Sequence, residues 1–87
     1  MTAYEWDESK RKTNLSKHGV DFAVMESFVW EEATVIPDNR KNYGELRFLG
    51  VGPIGDCLHC VIFSVRGENI RIISLRKANR KEVERYG

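Results

Sequence analysis

Several common markers of function are missing from this sequence. It has two prolines in 87 residues, with an apolar fraction of 41% and a charged fraction of 31%, so nothing points to a disordered chain. No apolar run approaches the length of a membrane span, and the first ten residues, MTAYEWDESK, carry no signal-peptide hydrophobic region; a cytosolic location is expected. There is no P-loop, no G-x-G-x-x-G, no H-E-x-x-H, no internal repeat and no low-complexity segment, which excludes the nucleotide-binding, dinucleotide-binding and metalloprotease classes those patterns mark. Cys57 and Cys60 form a C-x-x-C, but CLHCVIFSV reads as a strand, where positions three apart point to opposite faces, so the two sulfurs diverge. His18 and His59 are the only histidines. Ordinary thiols are expected, with no metal and no cofactor.

What remains is one small domain, residues 1–87, with room for a single core. Its net charge of +1 conceals a strong asymmetry. Residues 66 to 86 hold seven Lys or Arg against three Glu, net +4, whereas residues 21 to 38 hold five acids and no base, net −5. Such a chain can offer a positive surface to a phosphate backbone without being basic overall; solvated charged faces are the plainer alternative.

The chain reads as organised around Ile70 to Tyr86, where a β-branched strand feeds a basic helix. Asn79 is a suitable N-cap and Glu82 can reach back to it in a capping box, so this helix should run to Tyr86 and carry Arg80, Lys81 and Arg85 beside Arg71 and Arg76. Upstream, Ala3 to Trp6 predicts a strand, and Asp7 caps a helix over residues 8 to 18 that places Lys10, Asn14, Lys17 and His18 on one face. Gly19 suits its left-handed end, where Lys17 and His18 complement the helix dipole or, alternatively, contact phosphate. Asp21 should cap a second helix with Phe22, Val24, Met25, Phe28 and Val29 as its apolar stripe and Trp30 at its close. A short strand, Thr34 to Ile36, precedes the polar loop DNRKNYG, whose Arg40, Lys41 and Tyr43 form a basic and aromatic combination suited to nucleic acid, with simple exposure the plainer alternative. Three strands follow, Glu45 to Val51, Cys57 to Val65 and Ile70 to Arg76, joined by GPIGD and RGEN as an antiparallel meander. Strict alternation on the last would set Ile70, Ile72, Ser74 and Arg76 opposite Arg71, Ile73 and Leu75. The expected class is α+β: a small antiparallel sheet with two N-terminal helices and a C-terminal helix.

Trp6-Asp7, Lys10, Asn14, Lys17-His18-Gly19-Val20 with Phe22, Glu45-x-Arg47, Arg66-Gly67, Arg71-Ile72-Ile73-Ser74-x-Arg76-x-Ala78, Glu82 and Tyr86 together resemble the BrnT toxins. Leu75 stands where that pattern has a small residue. The resemblance implies a RelE-like fold, metal-independent cleavage of mRNA as the toxin of a type II toxin-antitoxin system, and neutralisation by a BrnA-like ribbon-helix-helix antitoxin, with operator DNA contacted only through that complex.

Cutting RNA without a metal requires the 2′-OH to lose a proton, the phosphorane charge to be stabilised and the 5′ oxygen to gain a proton. Arg47, Arg66 and Arg76 are expected to converge on the scissile phosphate through bidentate guanidinium contacts. Glu45 is the candidate base, with His18 as the other candidate for proton transfer. Lys10, Lys17, Arg71, Arg80, Tyr43 and Tyr86 are candidate RNA contacts. Each has a quiet alternative: Glu45 with Arg47 as a surface pair, Tyr86 as the anchor of the last helix, Glu82 as a capping residue. A non-catalytic partner that binds antitoxin or nucleic acid is the alternative function. Direct base reading by a DNA-binding regulator is disfavoured, because no helix-turn-helix pattern is present.

Overall fold

The computed structural model describes residues 3–40 and 44–87. Five strands form one sheet: β1 (Ala3–Trp6), β2 (Thr34–Pro37), β3 (Phe48–Ile54), β4 (Cys57–Arg66) and β5 (Asn69–Lys77). Two α-helices accompany them, α1 (Glu8–His18) and α2 (Arg80–Tyr86). The order across the sheet is β1-β5-β4-β3-β2. β2 to β5 form the expected meander, but β1 adds to the far edge parallel to β5, so the sheet is mixed. α1 makes that crossover possible, because it carries the chain away from the β1 edge before β2 begins.

Asp7 caps α1, its carboxylate accepting from the backbone N–H of Ser9 and Lys10, and Gly19 ends the helix at φ 71°. The polar α1 is fastened by Asn14. Its amide nitrogen donates to the carbonyls of Leu75 at 2.7 Å and Val20 at 3.0 Å, and its oxygen accepts from the Leu75 N–H at 3.0 Å. Asn14 thus pairs with β5 at a residue beyond the four that β1 covers, and it is buried there.

The second expected helix is a correction. Residues Phe22–Ser27 form a 3-10 helix, Phe28 is extended and bridges to Ile54, and Trp30–Glu32 form another 3-10 turn. The buried residues Phe22, Met25 and Phe28 recur every three positions, which matches three residues per turn, while Val24 stays exposed. This segment covers one face of the sheet. Phe22, Met25 and Phe28 pack there with Val61, Phe63, Ile72 and Leu75, and Trp30 stands edge-on between Phe28 and Phe63 while donating its indole N–H to the Tyr4 hydroxyl at 2.6 Å. Gly52 permits the close approach, because a Cβ there would lie 2.8 Å from the Phe28 ring and 2.9 Å from Ala33.

Two strand expectations also change. β3 begins at Phe48 rather than Glu45 and continues through Gly52, Pro53 and Ile54, which leaves only Gly55 and Asp56 as the turn. On β5 the alternation breaks: Phe63 pairs with Ile72 but Ile62 pairs with Ser74, so Ile73 is an inserted bulge residue. Ile72 and Leu75 therefore share the core face, and Arg71, Ser74 and Arg76 all lie on the other. Cys57 is exposed and Cys60 buried, consistent with opposite faces.

Candidate functional site

The face of the sheet turned away from the 3-10 segments carries a cleft of about 510 Å³. Leu49 and Ile62, which pair across β3 and β4, form its apolar floor together with Ile36 of β2. Cys60, Ser74 and Arg76 form the polar part of the floor, and Lys17, His18, Asp38, Arg40 and Glu82 stand at the rim. A smaller cleft, lined by Lys10, Thr13 and Asn14, adjoins it and shares Lys17, His18 and Ser74. α1 brings Lys17 and His18 here because the Asn14 clamp ties its last turns to β5.

Arg76 and Glu82 make a two-pronged ion pair, with Nη1 donating to Oε1 at 2.7 Å and Nη2 to Oε2 at 2.8 Å. Oε1 also accepts the Asn79 backbone N–H at 2.8 Å, which completes the expected capping box. Glu82 therefore fastens α2 to the sheet as well as capping it. The Arg76 hydrogen bonds hold its carboxyl well below the usual range, at about 2, and the carboxylate in turn favours the charged form of Arg76. Beneath the pair, burial pushes the Cys60 thiol up to about 11, so it is an unreactive part of the floor. Across the cleft, Arg40 forks onto the buried Asp38 carboxylate at 2.8 and 2.9 Å. The two carboxylates at the cleft are thus each engaged by a guanidinium.

The other expected arginines lie elsewhere on the same face. Arg47 and Arg66 both approach Glu45, at 3.6 and 3.3 Å, and Arg71 approaches Glu5 at 3.4 Å. Arg76 pairs with Cys60 and Arg66 with Asn69, so the two arginines are six β4 residues apart, about 20 Å along the strand. The expected convergence of Arg47, Arg66 and Arg76 on one spot is therefore corrected to two groups. Arg80 is exposed and pairs only loosely with Glu84 at 3.4 Å, and Tyr86 ends α2 beneath the Arg85 guanidinium. Tyr43 lies outside the described residues. Sequence reasoning did not place Asp38, Cys60 or Ser74 in a site, and it offered Arg40 only as part of a loop suited to nucleic acid, without linking it to Arg76. The Asp-x-Arg spacing before a loop was the one available signal, and nothing local links it to β5.

Known proteins match this chain in two ways. A family profile, described as the ribonuclease toxin BrnT of type II toxin-antitoxin systems, matches residues 6–82. The chain belongs to this family. The crystal structure of the Brucella abortus ribonuclease toxin BrnT superposes with a TM-score of 0.74 at 33% identity, covering 92% of this chain and 100% of that one. No curated protein sequence matches. Membership in the BrnT family makes this chain a ribonuclease toxin whose system includes an antitoxin partner. Among the described residues, no helix is long and apolar enough to cross a membrane.

Proposed function

We propose that the chain is an endoribonuclease that binds the scissile phosphate of RNA in the Arg76 cleft, so that it inhibits translation and growth in the cytosol. The observation that carries this reading is a nucleotide-sized concavity, in a member of a ribonuclease family, with three cationic side chains (Lys17, Arg40 and Arg76) and the His18 imidazole around an apolar floor. The floor suits a base and the rim suits a phosphate. The 2′-OH loses its proton and attacks phosphorus, the bond to the 5′ oxygen breaks, and that oxygen takes up a proton; the products are a 2′,3′-cyclic phosphate and a 5′-hydroxyl. His18 handles the proton in this cleft, and Lys17 and Arg76 offset the phosphorane charge.

Metal independence is supported by the donor set. The Asp38 and Glu82 carboxylates are already paired to Arg40 and Arg76, which leaves a rim that attracts anions rather than divalent cations. A BrnA-like ribbon-helix-helix antitoxin as the neutralising partner is supported by family membership, and co-purification with the product of an adjoining reading frame checks it.

The deciding experiment is primer extension on RNA treated with the purified protein, with and without EDTA. Cleavage should persist in EDTA and disappear in Arg76→Ala and His18→Gln variants that retain the fold and antitoxin binding. A second reading places the scissile phosphate beside Glu45, which lies between Arg47 and Arg66. Loss of cleavage in Glu45→Gln with full activity in His18→Gln would establish that reading instead.

A further inference from the structure

The Ile73 bulge places Arg71 on the same face as Arg76, and at that end of the face the chain brings three arginines to positions near one serine. Ser64 pairs directly with Arg71, and Arg66 follows two residues along β4 on the same side. Arg47 immediately precedes Phe48, whose partner is Phe63, and it approaches the same carboxylate as Arg66, that of Glu45. Ser64 is 2% exposed, and its hydroxyl has no hydrogen-bond partner among the described residues. A buried hydroxyl without a partner is uncommon, and this one belongs to the residue that pairs with Arg71 across β4 and β5.

The contacts at this end are looser than those in the cleft. Arg66 and Arg71 each reach a carboxylate through one nitrogen, at 3.3 and 3.4 Å, whereas Arg76 is clamped through two at 2.7 and 2.8 Å. A guanidinium carries five N–H donors, so single long contacts leave Arg66 and Arg71 able to take up an anion without first breaking a tight pair. Their side chains are 52% and 28% exposed.

From these features we infer that Arg47, Arg66 and Arg71 form a second phosphate-binding station for single-stranded RNA, separate from the cleft. Ser64 and Cys60 are four β4 residues apart, which sets the station about 13 Å from the cleft along the strand. That distance exceeds the separation of neighbouring phosphates, so one strand reaches both by laying its intervening bases over Leu49 and Ile62. An apolar floor accepts the face of any base and requires those bases to be unpaired, so the ligand is single-stranded and the station adds affinity rather than sequence choice. The inference rests on the cleft binding RNA.

The test uses 2′-O-methyl oligouridylates, which lack the attacking hydroxyl, followed by fluorescence anisotropy. An octanucleotide spans both stations and a dinucleotide does not. The octanucleotide should bind about tenfold more tightly than the dinucleotide, and Arg71→Ala should remove most of that advantage while lowering the salt slope by about one unit. Arg66→Ala, at a more exposed position, should shrink the same ratio and guards against a folding defect in the first variant. Equal binding of the two lengths by the unsubstituted protein, or variants that leave the ratio unchanged, would overturn the station. Cleavage of an unmodified octaribonucleotide is measured alongside. If length-dependent binding persists without cleavage, the nuclease reading fails and the station stands.

Discussion

On one side of the sheet, the side chains of Phe22, Met25, Ile72 and Leu75 are fully buried and packed together; on the other, β5 carries Arg71 and Arg76, which form ion pairs and stay partly open to water. The core face tolerates little change, because a removed side chain leaves a void that its close-packed neighbours cannot fill. The cleft face draws on interactions that water weakens, so its residues can change function at small cost to the fold. Stability and chemistry are thereby divided between the two faces of one sheet.

The sharpest test of that division is Phe22→Ala, which should cost about 3–5 kcal/mol in urea denaturation. A loss comparable to that of an exposed residue would mean that the 3-10 segment is not part of the core. Asn14→Ala comes next, because it strips partners from both backbone groups of the buried Leu75 and should cost about 2–4 kcal/mol. It should also reduce RNA cleavage beyond what the stability loss explains, because Lys17 and His18 reach the cleft through that clamp; parallel denaturation and cleavage measurements check both.

Glu82→Gln should have a smaller effect, and one that depends on pH. The Glu82 carboxyl lies below its ordinary 4.5, at about 2, so its contribution to stability is present above about pH 4.5 and is lost as pH falls toward 2. Acid titration followed by circular dichroism should show a shallower loss of stability across that window in the variant. An unchanged acid profile would mean that the Arg76 pair does not hold α2 in place. The smallest effect is expected for Arg80→Ala, within about 0.5 kcal/mol, since its partner Glu84 is also exposed.

Much of the local structure was legible in the residues. Asp7, Gly19 and Asn79 mark the ends of α1 and the start of α2 because capping depends on neighbours within a turn. The 3-10 segment misled because Phe22, Met25 and Phe28 fit both a three-residue and a 3.6-residue period over so short a span. The β1 pairing with β5 was invisible because its partners, such as Tyr4 and Ile70, are far apart in sequence. The site was legible only in parts: Lys17, His18 and Arg76 do meet, while Asp38 and Arg40 join them through the β2–β3 pairing, which no local pattern reports.

By itself the sequence determined the strands, the helix caps, the charge asymmetry and the family likeness, since each depends on residue type or short spacing. Only the tertiary structure decided that Arg71 and Arg76, five positions apart on one strand, share a face, and that Arg66 and Arg76 stand at opposite ends of it. A bulge is set by how two strands meet, and such a meeting is a property of neither strand alone.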